Sequence, residues 1–161
     1  MSEENYIDAH ALRGAFVANQ LDRLADLFSE QGELLLQDAG LKFPARTVSC
    51  VLLIGERGEI STADIANELS QPHQLVTQRV ELLITSGVVE RLIDPQDGRR
   101  KILRLTRGGV YQYESLQECL EKASRAFAEL FKEIKCNLPA VIRRASAALD
   151  HSSILERTRV L

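Results

Sequence analysis

Apolar residues early in the chain recur at the interval of one helical face. Val17, Leu21, Leu24 and Phe28 are spaced four, three and four, and no proline interrupts residues 6–37, which predicts a long first helix. Gly40 and Pro44 in DAGLKFP break that pattern, after which Val48, Val51, Leu52 and Gly55 mark a shorter second helix that ends at residues 55–59. Ser61 is an N-cap candidate with Asp64 three residues on, ahead of Ile65 and Leu69, so a helix of about two turns is expected next. Ser70 closes it. Pro72 fits the first turn of a fourth helix, where a missing N–H costs nothing, and Val76, Val80, Leu83 and Gly87 then carry the helical interval to about Ser86.

The period then changes. VVERLID and KILRL are rich in branched apolar residues and flank PQDGR, which predicts two antiparallel strands joined by a turn. Thr106 is a good N-cap for a fifth helix, in which Tyr113, Leu116, Leu120, Ala123, Phe127, Leu130 and Ile134 alternate spacings of three and four. Such a seam implies a partner helix. Asn137 and Pro139 interrupt it, and Leu138, Val141, Ile142, Ala145 and Leu149 support a sixth helix over residues 138–150, while the last eleven residues show no clear pattern. The expected fold is mainly α with a small β-hairpin (α+β), a single domain over residues 1–161 with long helices at both ends.

Composition changes this picture little. The 161 residues, 45% of them apolar, suffice for one sizeable core, and a net charge of −3 gives no average hint of nucleic acid. No apolar run approaches membrane-spanning length and the acidic start MSEEN is the reverse of a secretory leader, so a cytoplasmic protein without a membrane partner is expected. Cys50, Cys119 and Cys136 have neither CxxC spacing nor a zinc-site interval to His10, His73 or His151, so no metal is expected. Gly-rich phosphate loops and nucleophile motifs are absent too, which argues against an enzyme or a resident cofactor.

The distribution of charge matters more than its sum. Residues 99–107 carry Arg99, Arg100, Lys101, Arg104 and Arg107 with no acid among them, whereas residues 1–40 carry two cations against eight acids. Cations brought onto phosphates release counterions, so a basic hairpin beside a helix-turn-helix makes sense as a duplex-DNA interface. With Val76, Val80 and Leu83 packed inward, His73, Gln74, Thr77 and Gln78 fall on the opposite side as base-reading candidates, Gln74 and Gln78 for adenine. Arg79 is lateral and suited to a phosphate. Ser61 and Thr62 suit either a phosphate contact through the helix N-terminus or simple capping. Arg100 and Lys101 supply phosphate attraction, and Asp97 organises the turn as a partner of Arg99 or Arg91. A solvated edge strand protected by charge is the alternative for the hairpin.

These residues resemble the multiple-antibiotic-resistance regulator (MarR) family of bacterial winged-helix transcription factors. ISTADIANELS looks like the family's first helix-turn-helix helix, QPHQLVTQRVELLITSGVVER like its recognition helix and following strand, and DPQDGRRKILRLTRGG like its wing. Leu105, Thr106 and Gly109 fill its Leu-Thr-x-x-Gly signature, and Asp97 and Arg99 fill its Asp-x-Arg wing positions. The resemblance implies a DNA-binding lobe over residues 40–107 and a helical dimerisation lobe over residues 1–38 and 108–161. It implies Arg99 as the minor-groove probe, and a homodimer on a pseudo-palindromic operator with half-sites roughly 34 Å apart. It further implies a repressor released by a small-molecule effector. Tyr6 and His10 near the amino end either border an effector cleft or belong to a frayed terminus, the commoner case. Two alternatives remain at this point: a winged helix that binds protein rather than DNA, and an oxidant-sensing thiol regulator of the same fold.

Overall fold

A computed structural model describes residues 6–95, 97–98 and 100–160. In chain order these form α1 (Tyr6–Ala9), α2 (Val17–Asp38), α3 (Val48–Arg57), α4 (Thr62–Glu68), α5 (His73–Thr85), β1 (Val89–Ile93), β2 (Lys101–Leu105), α6 (Arg107–Glu133), α7 (Leu138–His151) and α8 (Ile154–Thr158). The expected class holds: mainly helix with one small antiparallel hairpin. By packing, the chain divides into two units, Met1–Cys119 and Leu120–Leu161, with the boundary inside α6.

The long first helix expected over residues 6–37 is broken. Between α1 and α2 lies a 3-10 turn at Arg13–Ala15. His10 helps break it, because its Nδ1 accepts the Leu12 amide at 3.0 Å, a local bond that competes with helix continuation. Gly14 adds low helix propensity. On α2 the expected apolar face is not a core face in the single chain: Val17 and Leu21 are exposed, and only Leu36 is buried.

Helix α3 is the centre of the first unit. Cys50, Val51, Leu53 and Ile54 are all buried, so it is covered on more sides than the single stripe through Val48, Val51, Leu52 and Gly55 suggested. A helix surrounded by neighbours has no solvent face to impose a period. Arg57 at its end grips Glu68 of α4 through two hydrogen bonds of 3.2 and 2.6 Å.

Ser61 caps α4, its hydroxyl accepting the Asp64 amide at 3.2 Å. The turn to α5 is tight because Ser70 takes a left-handed backbone, φ 51°, letting Gln71 N–H reach back to the Ala66 carbonyl at 2.9 Å. Pro72 stands one place earlier than expected, at the N-cap of α5 rather than in its first turn. Gly87, φ 71°, closes α5 in the same left-handed way and turns the chain into β1.

The hairpin pairs Val89 with Leu105 through to Ile93 with Lys101. Ile60 adds an isolated bridge to Leu103, with N–H to O distances of 3.1 and 2.8 Å in the two directions. This third rung anchors the hairpin to the segment just before α4, and one residue gave no periodic signal to predict it. Thr106 caps α6 as expected, accepting the Gly109 amide at 2.9 Å.

In the second unit, Asn137 caps α7 by accepting the Ala140 amide at 3.1 Å. The last residues, unpatterned in sequence, form α8 behind a reciprocal cap between Ser153 and Glu156. Phe127, Ile134, Val141, Ile142, Leu149, Ile154 and Leu155 are large apolar side chains left exposed in this unit.

Candidate nucleic-acid interface

Helix α5 divides as its sequence predicts. Val76, Val80 and Leu83 are fully buried, and each contributes about 1.5 to 3 kcal/mol by leaving water. His73, Gln74 and Gln78 are exposed on the other side. Thr77 is half-buried, and its hydroxyl donates to the His73 carbonyl at 2.9 Å, leaving its oxygen lone pairs rather than its proton for a ligand. Arg79 is lateral and half-buried. Its Nη1 donates to Oε1 of Gln71, while its Nε is buried without a hydrogen-bond partner.

A cleft of about 470 Å³ opens on this flank, lined by Arg46, Leu75, Thr77, Gln78, Arg79 and Glu81 among others. The sequence singled out neither Leu75 nor Arg46 among them. Leu75 is 36% exposed between Gln74 and the buried seam, an apolar side chain of the type that meets a thymine methyl. Arg46 comes from the 3-10 turn Ala45–Thr47, well before the helix-turn-helix, and only packing brings it to α5.

The hairpin's cations are less alone than the sequence suggests. Arg104 stands opposite Glu90 in the register and donates to it at 2.7 Å. Arg91 pairs with Glu81 of α5 and not with Asp97. Arg100 reaches across to Asp64 of α4, with Asp94 4.0 Å from its Nε. Lys101 is exposed and makes no ion pair among the described residues. Arg99, the groove-probe candidate, lies outside the described residues. Two backbone bonds of the turn lie within the described residues: Asp97 C=O accepts the Arg100 amide at 2.8 Å, and the Arg100 carbonyl accepts that of Asp94 at 2.9 Å.

Around Asp64 the electrostatics are coherent. The Ser61 hydroxyl donates to its carboxylate at 2.6 Å, and with Arg100 this holds the Asp64 pKa below the ordinary carboxylate range. Ser61 is thereby engaged in capping and buried, while Thr62 beside it is half-buried. Cys50, behind α5, is fully buried, and burial pushes its thiol up against a smaller opposing effect of Arg79. Cys119 is buried, with Sγ 3.9 Å from the Leu35 carbonyl, and Cys136 is half-buried. At Cys50 the raised thiol pKa and the burial both disfavour the thiolate that oxidants attack. Among the described residues no cluster of three or more His, Cys, Asp or Glu stands ready for a metal, and no helix is long and apolar enough to cross a membrane.

Comparison with known proteins places this geometry. Residues 39–100 match the MarR family. The uncharacterized HTH-type transcriptional regulator YdgJ of Bacillus subtilis is 29% identical over 133 residues, covering 75% of this chain and 77% of that one. Among solved structures, a mutant MarR from E. coli complexed with operator DNA superposes with a TM-score of 0.59 at 22% identity, over 83% of this chain and 96% of that chain. The PcaV transcriptional regulator from Streptomyces coelicolor, in complex with its natural ligand, gives a TM-score of 0.61 at 21% identity, over 82% and 95%.

Proposed function

We propose, from the match of residues 39–100 to the MarR family and the likeness to an HTH-type transcriptional regulator, that the chain is a MarR-type regulator and a homodimeric repressor of a pseudo-palindromic operator. The observation that carries the reading is α5 itself. A fully buried Val76, Val80 and Leu83 seam holds His73, Gln74 and Gln78 outward on a rigid helix, beside a hairpin bearing Lys101. In this reading Gln74 and Gln78 read base edges, Thr77 and His73 support them, Arg79, Arg100 and Lys101 serve the phosphates, and Arg99 enters the minor groove. Ser61 and Thr62 contribute through the α4 N-terminus.

Dimerisation is supported by the exposed apolar residues outside the winged helix, from Val17 and Leu21 on α2 to Ile142 and Leu149 on α7. The dimerisation segments are residues 1–38 and 108–161, with residues 40–107 as the DNA-binding lobe. A small-molecule effector that favours a dimer with wrongly spaced recognition helices releases the operator by its differential affinity for the two states. The E. coli relative solved with operator DNA and PcaV solved with its natural ligand support the two halves of this scheme. The protein acts in the cytoplasm.

Selection of bound sequences from a random duplex pool tests the reading. A single enriched inverted repeat is expected. Affinity for random duplex should fall with salt at a log–log slope near −7 for about eight phosphate contacts per dimer, whereas a flat, weak response favours a protein-interaction module instead.

A further inference from the structure

We infer that Arg46 grips a backbone phosphate of the bound duplex together with Arg79, outside the helix-turn-helix and on the flank of α5. The inference rests on the DNA-binding reading above and adds a contact to it.

Both arginines line one open cleft with Thr77 and Gln78, the residues nearest the proposed base contacts. The acid of that cleft, Glu81, is engaged by Arg91, and Arg46 is exposed with no ion pair among the described residues. The balance of the cleft is therefore cationic. Arg79 is held in place by Gln71 through Nη1 and its Nε is buried, while its Nη2 makes no hydrogen bond among the described residues and is the donor left for a phosphate. A recognition helix in the major groove is bordered by the two phosphate strands, so cations beside the helix, rather than on its outer side, meet backbone and not bases. Arg46 also comes from a different element than Arg79. A phosphate held between them fixes how far α5 slides along the groove, which is a positioning role and carries no sequence information.

The test uses the full-length protein and Arg46→Gln, a substitution at an exposed site, with thermal melting to verify the fold. Affinity for selected and random duplexes should fall by the same factor, roughly five- to tenfold at about 0.1 M salt. The log–log salt slope should shrink by about 0.9 for each Arg46 on the DNA, with base preference unchanged. Arg46→Lys should retain most of the slope. An unchanged slope in Arg46→Gln, with the unaltered protein still binding duplex in a salt-dependent way, overturns the role of Arg46 alone. Absence of salt-dependent duplex binding in the unaltered protein overturns the DNA reading itself. Exchange of chloride for inorganic phosphate at constant ionic strength separates the two sources of a phosphate: no saturable competition is expected. Competition that disappears in Arg46→Gln makes the cleft a free-anion site and overturns the duplex as its ligand.

Discussion

Asp64 and Arg100 stand 36 positions apart in sequence and meet as an ion pair, so the first helix of the helix-turn-helix holds the root of the wing. The same carboxylate accepts from the Ser61 hydroxyl, which joins helix cap and wing in one small network. Asp64→Asn should leave Ser61 as a cap while releasing Arg100. Faster amide exchange across residues 100–105 and weaker operator binding are expected, with the oligomeric state unchanged. Equal exchange in variant and parent would show that the Ile60 bridge alone holds the hairpin.

The same pair has a pH signature. Because Asp64 is depressed in the folded protein, first by Ser61 and then by Arg100, its stabilising contribution is full above the unfolded carboxylate pKa of about 3.9. That contribution is lost as pH falls through the lower folded value. Acid unfolding followed by circular dichroism should therefore shift less steeply with pH below about 4 in Asp64→Asn than in the parent.

Gly109 tolerates no side chain. A Cβ there would lie 1.9 Å from the Val88 carbonyl oxygen, which is backbone and cannot swing aside. Gly109→Ala should lose about 1 to 3 kcal/mol or more in urea unfolding. Gly55 differs, since its Cβ would meet the Tyr113 ring at 2.3 Å, and a side chain can be removed. Gly55→Ala should be destabilising alone and partly rescued by Tyr113→Ala, a coupling that a double-mutant cycle reads directly.

Gln78 is exposed on the proposed base-reading side. Gln78→Ala should relax discrimination at one operator position by about 1 to 3 kcal/mol and leave binding to random duplex nearly unchanged. Uniform loss over all sequences would move Gln78 from base reader to phosphate contact.

Ile142 on α7 is 49% exposed in the single chain. Ile142→Glu should shift the protein toward monomer in sedimentation velocity and weaken operator binding through lost bivalency, while each chain keeps its helical content. A dimer that persists at the parent's dissociation constant would place the interface elsewhere.

The winged helix was legible wherever one local rule sufficed. The caps at Ser61 and Thr106, the seam of α5 and both strands follow from residues close in sequence. What escaped was set by distant packing. The stripe expected for α3 hid its central burial, because a helix surrounded by neighbours loses its amphipathic period. The wing looked like an unbroken block of positive charge, yet Glu90 and Asp64 neutralise two of its members across a register and across 36 residues. Arg46 carried no local mark at all. The break after α1 turned on one histidine nitrogen, a competition that counting apolar positions does not see.

The hydroxyl of Thr106 accepts from Gly109 N–H at 2.9 Å and donates to the Gly87 carbonyl at 2.7 Å. It therefore pins the first turn of α6 to the residue at which α5 hands over to β1. The opening turn of α6 and the exit of the recognition helix are not separate degrees of freedom. A torque applied at either reaches the other through that rivet, and valine at that position, close in shape but lacking the oxygen, would leave the Thr106 amide on the Val88 carbonyl, 3.0 Å, to carry the coupling without it.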